Sequence, residues 1–398
     1  MFYPIRAVLP WLALLLSSTS VFLSSWIVIP APTMSLLPLG VGVPELSPWL
    51  VVLNVIALGV SWVGGHQSWL QRWTLGASLL GLVLSILPLV QLPATEQQMS
   101  GVMRDSLGAN YEQQIPPSVQ IQLRPHPFIL ADAFRGIPQM PVRYTPDIPF
   151  AAPDGVPLNL NIYRPPQVGQ YPAIVIIYGG GWQSGSASHY ADFSRYMAHR
   201  GYTVFAIAYR HAPRYQFPAQ LDDVRAALTF IQQHADEYET DITRIALLGR
   251  SAGGHLAMLT AYQPDALPVR AVVSYYGPFN LTQGYRDPPK PDPYNVRAVL
   301  ESFLGGSPDE QPEKYVKASP ITYVTRPLPP TLLVHGSRDH IVEVRFARNM
   351  HKRLLAAKSK AILLEIPWAE HAFDAIFHGP SNQLALYYTE RFLAWALH

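Results

Sequence analysis

The stretch Gly249-Arg250-Ser251-Ala252-Gly253-Gly254-His255 constrains this chain more than any other. A short apolar run, Ile245-Ala246-Leu247-Leu248, leads into it, and an Ala/Leu/Met-rich segment, residues 256–260, leads out. That reads as strand, tight turn and helix. A Gly-x-Ser-x-Gly pattern in this setting lifts a serine on a strained turn above the edge of a sheet. The flanking glycines matter because backbone comes close to them, so a Cβ at Gly249 or Gly253 would clash. The helix that follows begins beneath Ser251, and its unpaired N–H groups face any negative charge that forms there. The bare pentapeptide also fits an unreactive Gly/Ser loop; the strand before it and the helix after it favour the reactive reading.

The surroundings of this turn repeat its architecture. Strands are expected at 158–163, 173–178, 203–209, 244–248, 269–275, 331–334 and 361–366, and helices at 190–199, 221–234, 342–355 and 383–397. The run at 173–178 is continuously apolar, as a central parallel strand covered on both faces requires. Alternation of this kind predicts an α/β fold with a mainly parallel, doubly wound sheet over residues 141–398. Reactive side chains should then lie beyond the carboxyl ends of strands.

A serine hydroxyl needs a base to take its proton. Thirteen histidines compete for that role. His371 lies in a loop after a late strand, Ile362-Leu363-Leu364-Glu365-Ile366, which is where a base belongs. His351 falls on a helix face and is expected to be solvated, His378 precedes Gly379-Pro380, His340 adjoins the candidate acid, and His255 enters the helix, where packing is its expected role. The base needs a carboxylate to fix its tautomer. Leu332-Leu333-Val334 ends in a turn that presents Asp339, whereas Glu370 and Asp374 are expected on the wrong side of the His371 loop. For an oxyanion, Tyr178-Gly179-Gly180-Gly181-Trp182 follows a central strand, and the N–H groups of Gly180, Gly181 and Ala252 can converge on one point. The same glycines do not have the G-x-G-x-x-G spacing of a dinucleotide loop, and no Lys-Ser/Thr pair follows them.

These motifs, together with Tyr209-Arg210-His211-Ala212-Pro213, Phe217-Pro218-Ala219 and His371-Ala372-Phe373, occur in the order seen in α/β-hydrolases. Residues 141–398 most resemble the hormone-sensitive-lipase-like esterases and the related feruloyl-esterase-like branch. The resemblance implies Ser251 as nucleophile, Asp339 as acid, His371 as base and Gly180, Gly181 and Ala252 as oxyanion donors. One position departs: the family usually has histidine where this chain has Tyr178. Membrane-attached isoprenylcysteine methylesterases join apolar spans to a similar domain, which gives the layout a parallel.

Charge decides how the rest is read. Only 14% of residues are charged, and residues 1–93 hold just Arg6, Glu45 and Arg72. Three transmembrane helices are expected there, at 7–29, 46–63 and 73–90, each near the length that crosses a bilayer core of about 30 Å. Trp49, Trp62, Trp69 and Trp73 fall at their ends, where amphipathic rings favour the interface. A cleaved signal peptide competes for the first segment, but its apolar run continues past Ser18 and Ser20. Arg6 and Arg72 place the N-terminus in the cytoplasm and the domain after Val90 outside the cytoplasm. Residues 94–140 read as a juxtamembrane linker or as a flap over the site, with a strand-like arm at 118–123 and a short helix at 127–134. A net charge of +2 with no basic run argues against a nucleic-acid partner. With no cysteine the chain forms no disulfide or thiolate metal site, and no cofactor or metal is expected.

The function expected is a membrane-anchored serine hydrolase of carboxylic esters, working through an acyl-enzyme on a small-molecule or lipid ester. Its rate should rise as His371 loses its proton, near the ordinary histidine value of about 6.5. A serine peptidase of the same fold and an inactive membrane-anchored binding module are the alternatives. Tyr275, Tyr276, Phe279, Tyr285 and Phe303, from the stretch between the elbow helix and Asp339, are candidates to line an apolar pocket.

Overall fold

The computed structural model describes residues 3–63 and 69–398, with side chains from Val8 onward. Residues 64–68 and the Arg6 side chain, on which part of the orientation argument rests, lie outside the described residues.

The chain opens with four helices: α1 (Tyr3–Ser25), α2 (Leu37–Glu45), α3 (Ser47–Val63) and α4 (Trp69–Leu107). Two of them, α1 over Val8–Ser25 and α4, are long and apolar enough to cross a membrane. The pair α2 and α3, bent by 83°, makes a third such element only if taken as one. Helices α1, α3 and α4 pack on one another, and their polarity is inverted relative to a water-soluble bundle. Ser17, Ser20, Ser24, Asn54, Ser61, Ser78 and Ser85 are buried, while Trp11, Leu15, Phe22, Val55, Ile56, Leu79, Leu80 and Val83 are exposed. Small polar residues let helix backbones approach and hydrogen-bond across the seam. Ser17 Oγ lies 2.8 Å from Ser78 Oγ and 3.2 Å from Ser61 Oγ. The Asn54 amide donates to Ser24 Oγ at 3.0 Å. Gly81 is required by this asparagine, because a Cβ there would stand 2.1 Å from Asn54 Oδ1.

Helix α4 does not stop at Val90 but runs 39 residues, through Pro88 and Pro93. At 1.5 Å per residue that is about 58 Å, nearly twice a bilayer core. Its far half joins the large domain: Leu92, Met99, Met103 and Leu107 share a core cluster with Ile174, Leu248 and Phe392. After it come the short helices α5 (Pro117–Gln120) and α6 (Leu130–Arg135). The expected strand at 118–123 is therefore corrected to a helical turn, started by Pro117 at its first position, where the missing N–H costs nothing.

The remainder is a single sheet of eight strands: β1 (Arg143–Ala151), β2 (Leu158–Arg164), β3 (Tyr171–Ile177), β4 (Thr203–Ile207), β5 (Thr240–Arg250), β6 (Ala271–Tyr275), β7 (Thr331–Gly336) and β8 (Ala361–Ile366). Its order is β1-β2-β4-β3-β5-β6-β7-β8. The first two pairings, β1/β2 and β2/β4, are antiparallel, and all others are parallel. Helices α7 (Ala191–His199), α8 (Ala219–Gln233), α9 (Ala252–Tyr262), α13 (Val344–Ala356) and α14 (Pro380–Leu397) cover the two faces. Between β6 and β7 the chain forms α10 (Leu281–Arg286), α11 (Val296–Leu304) and α12 (Pro312–Ala318). One core layer lies under α8 and α9 and the other under α7 and α14, so every residue of β3 after Tyr171 is buried. The carboxyl ends of β3, β5, β7 and β8 converge on one edge, and the loops leaving them carry the candidate site.

Candidate active site

β5 delivers Ser251 at its end, immediately before α9. Ser251 has φ 52° and ψ −122°, a conformation that a non-glycine residue holds only when its surroundings fix it. The fixing is visible. A Cβ on Gly249 would meet the Gly253 carbonyl at 2.1 Å, and one on Gly253 would meet the Ile177 carbonyl at 2.0 Å. The Ser251 amide donates to the Tyr275 carbonyl at 2.9 Å, tying the turn to β6.

Ser251, His371 and Asp339 are brought together in one hydrogen-bonded line. Ser251 Oγ lies 2.9 Å from His371 Nε2. His371 Nδ1 lies 2.8 Å from Asp339 Oδ2. The other carboxylate oxygen, Oδ1, accepts the N–H groups of Ile341 at 2.9 Å and Val342 at 2.8 Å. His335 adds a further contact, its Nε2 3.2 Å from Oδ2. Burial alone would push the Asp339 carboxyl up; the charge of His371 and the hydrogen bonds of His335 and His371 outweigh it and hold it well below the usual carboxylate range. A carboxylate that stays ionised keeps His371 Nδ1 as the donor, which leaves Nε2 free to accept the serine proton.

The rival histidines have other partners. His255 is fully buried; its Nδ1 accepts from Trp182 Nε1 at 3.2 Å and its Nε2 donates to the Ala318 carbonyl at 2.6 Å. Burial pulls its pKa down to about 4. His340 pairs with Glu370 at 2.5 Å. His351, expected in solvent, is instead half-buried, its Nε2 3.1 Å from the Ala361 carbonyl. Asp374 faces away from the His371 ring and binds Arg250 Nε at 2.5 Å.

The glycine loop after β3 lies against the elbow. A Cβ on Gly179 would meet the Arg250 carbonyl at 2.8 Å. Gly180 (φ 122°) and Gly181 (φ 60°) both sit in backbone conformations that favour glycine. Gly181 and Ala252 line the same pocket as Ser251; Gly180 stands one residue back, its carbonyl accepting the Gln183 amide at 3.0 Å. Ala252 opens α9, so its N–H has no partner within the helix. Tyr178 braces this loop from below. Its hydroxyl donates to the Tyr209 carbonyl at 3.2 Å, accepts the Tyr209 amide at 3.3 Å and lies 2.9 Å from His211 Nε2, while its ring stacks on Tyr209 at 4.3 Å. In return Tyr209 Oη donates to the Tyr178 carbonyl at 3.1 Å.

Beside Ser251 is a cavity of about 50 Å³ walled by Phe279, Leu281, Val296, Leu300, Ile341, Val342 and Phe346. Of the aromatic residues expected there, only Phe279 lines it. Phe303 stacks under Trp182 at 4.2 Å, and Tyr276 stands behind His371, 4.6 Å from its ring. Tyr275 reaches the other way, to Thr389, and Tyr285 to Glu301. Sequence reasoning missed two supports: the Trp182–His255 contact, and the buried Arg250–Asp374 pair whose carboxylate also takes the Tyr276 hydroxyl. Arg250 precedes the serine and Asp374 follows the histidine by three residues, so adjacency to both motifs was the available signal. Among the described residues no group of three or more His, Asp or Glu is placed to hold a metal ion.

The BD-FAE family profile matches residues 160–354. A probable carboxylic ester hydrolase of Mycobacterium tuberculosis, LipM, is 32% identical over 253 residues, 59% of this chain and 58% of LipM. Esterase LipC of the same organism is 37% identical over 235 residues, 54% of this chain and 57% of LipC. The chain thus spans under two thirds of the length of each of these relatives. Among solved structures, Thermogutta terrifontis esterase 2 phosphonylated by sarin superposes with a TM-score of 0.53 at 27% identity, covering 65% of this chain and 94% of that one. With this strand order and this elbow, the chain has the α/β-hydrolase fold, and its sheet domain is similar in sequence to these esterases.

Proposed function

We propose that the chain is a membrane-embedded carboxylic ester hydrolase that works through an acyl-enzyme on Ser251. The observation that carries the reading is the unbroken line from Ser251 Oγ through His371 to Asp339, with distances of 2.9 and 2.8 Å. His371 Nε2 takes the proton as Ser251 Oγ bonds to the ester carbonyl carbon. The carbonyl oxygen becomes an oxyanion, received by the N–H groups of Gly180, Gly181 and Ala252. Collapse breaks the bond to the alcohol oxygen, which leaves with the proton from His371. Water, deprotonated by the same nitrogen, then attacks the acyl-enzyme and releases the acid. Asp339 stays ionised throughout and stabilises the imidazolium.

The membrane reading rests on the inverted polarity of α1, α3 and α4, with serines inside and leucines, valines and tryptophans outside. Trp62, Trp69 and Trp73 are exposed at the end of the bundle remote from the sheet, where an aromatic belt belongs. Arg72 lies at the same end, which supports a cytoplasmic side there and the sheet domain on the opposite side.

A fluorophosphonate probe tests the chemistry directly. It should label the wild type and leave Ser251→Ala unlabelled, and aryl-ester turnover should fall by about 10⁴- to 10⁶-fold in Ser251→Ala and His371→Ala. An unlabelled wild type would hand the site to the inactive binding-module reading. Protease access to the sheet domain in sealed vesicles decides orientation.

A further inference from the structure

Residues 94–140, one of whose expected roles was a flap, supply no wall of the pocket beside Ser251. A different part of the chain packs against residues that do line it. Residues 28–45, the corner between α1 and α3 that includes α2, touch the site region at successive points. The Val28 carbonyl accepts Arg338 Nη2 at 2.5 Å, next to Asp339. Leu37 packs on the cluster of Ile341, Val342 and Phe346. All three of those residues line the pocket, and two of them donate their N–H groups to Asp339. A Cβ at Gly42 would lie 3.6 Å from Ile376, and the Glu45 carboxylate accepts the Ser381 amide at 2.9 Å, both in the segment that follows His371. The corner therefore spans from the acid loop to the base loop across the pocket side of the domain.

We propose that this corner is the outer rim of the active-site pocket, and that the pocket takes its ester from the bilayer interface rather than from water. The inference rests on the esterase reading above and adds the source and shape of the substrate. Three observations support it. First, the corner lies at the level where the bundle leaves the membrane. α1 ends at Ser25 and α3 begins at Ser47. On α4 the exposed residues change from Ile86 and Val90 to Gln97, Gln98, Arg104 and Asp105. Second, the rim is apolar and partly open: residues 26–44 contain no charged side chain, and Val28, Ile29 and Met34 are exposed. An apolar surface at headgroup level is covered by lipid, not by water. Third, the pocket beside Ser251 is walled mainly by apolar side chains, and Leu37 of the corner packs on the cluster formed by three of them, so an apolar part of the ester has an apolar path from the serine to the rim.

The test uses the full chain reconstituted in phosphatidylcholine vesicles. Octadecyl butyrate supplies a small acyl group on a long apolar alcohol that exchanges slowly between vesicles; p-nitrophenyl butyrate supplies the same acyl group from water. Octadecyl butyrate should be hydrolysed at least about tenfold faster when it shares vesicles with the protein than when it is held in separate ones, while p-nitrophenyl butyrate is cleaved in both arrangements. Ile29→Asp with Met34→Asp should lower the ratio of octadecyl to p-nitrophenyl turnover at least about fivefold. Because the chain has no native cysteine, Met34→Cys can carry a fluorophore, which should be quenched most by a lipid bearing its nitroxide near the head group. Equal rates in shared and separate vesicles, absence of quenching, or cleavage of p-nitrophenyl butyrate alone would overturn the inference and leave the esterase reading standing. Loss of both cleavage and fluorophosphonate labelling would remove the esterase reading itself.

Discussion

The Tyr178→Phe variant isolates what sets the proposed oxyanion loop apart. The substitution deletes one buried hydroxyl and keeps the ring stack on Tyr209 and the Tyr209 hydroxyl on the Tyr178 carbonyl. It leaves the Tyr209 amide and carbonyl, bonded to that hydroxyl at 3.3 and 3.2 Å, without a partner. His211 is half-buried and can turn to water. Stranding a buried polar group costs about 1–3 kcal/mol, and these contacts are long, so the lower half of that range applies. The expected loss of stability lowers the melting temperature by about 2–6 °C. The consequence for chemistry follows from the connection Tyr178-Gly179-Gly180-Gly181. Removing one oxyanion donor outright costs about 10²–10³ in kcat, and loosening the loop that aims two of them should cost about 10- to 100-fold. The loss should fall on kcat, with KM for p-nitrophenyl butyrate within about threefold, because the apolar wall of the pocket is untouched. Kinetics in detergent micelles with a parallel melting curve read both quantities. A variant with wild-type kcat and wild-type melting temperature would refute the idea that the tyrosine hydroxyl braces the loop.

Asp339→Asn should lower kcat by about 10⁴-fold with the fold retained, because asparagine offers an N–H to His371 Nδ1 and inverts the tautomer. Gly81→Ala drives a methyl into Asn54 and should weaken the helix bundle by about 1–2 kcal/mol in a detergent unfolding assay; in the Asn54→Ala background the same substitution should be nearly silent. His255 sets an acid limit on stability. Its pKa in the fold is pulled by burial to about 4 from 6.5, so the unfolded chain binds the proton first, and stability present above pH 6.5 is lost as pH falls toward 4. Between pH 7 and pH 5 this amounts to about 2 kcal/mol, and His255→Gln should flatten that limb of the pH–stability curve.

The parts of this fold that sequence made legible are those written as short, contiguous strings. The elbow, the glycine loop and the turns presenting Asp339 and His371 each combine a buried strand with residues of special backbone or chemistry, and each occupies the end of a strand. β1 was not legible, because Pro146 and Pro149 interrupt it and its pairing with β2 shifts register twice; proline survives in such a strand only at a sheet edge or bulge. The aromatic lining was misread for a related reason. Tyr275 and Tyr276 end a buried strand and its turn, and nothing local says that one ring reaches Thr389 and the other packs behind His371 instead of facing the substrate. The Arg250–Asp374 pair joins residues 124 apart in sequence, and only the closure of the sheet brings them into contact.

Helix α4 runs across the boundary that sequence draws between the two halves of the molecule. Hydropathy reports the environment of the exposed face, and that face loses its leucines and valines near residue 90, so a span at 73–90 was expected and a linker after it. The backbone has no reason to break there. Its buried face continues without a gap, through Thr74, Ala77, Ser78, Gly81, Ser85, Pro88, Leu92, Thr95, Met99, Met103 and Leu107, at the three- and four-residue spacing of one helical stripe. What changes along the stripe is its chemistry. Before Pro88 the stripe is small and polar, which suits the proposed bilayer setting, where association is driven by close approach and hydrogen bonds. After Leu92 it is dominated by leucine and methionine, because in water burial of large apolar groups drives packing. One helix thus meets opposite packing rules at its two ends, and it enters the core of the sheet domain as a rigid strut. A flexible linker would let the site move relative to the bilayer; in the proposed setting, a continuous helix packed through Met99 and Met103 would hold the pocket mouth at one depth. Insertion of a Gly-Gly pair after Leu92, which spares both packed faces but uncouples them, should therefore reduce turnover of vesicle-borne octadecyl butyrate more than turnover of p-nitrophenyl butyrate, and an equal effect on the two would show that depth is not what the helix fixes.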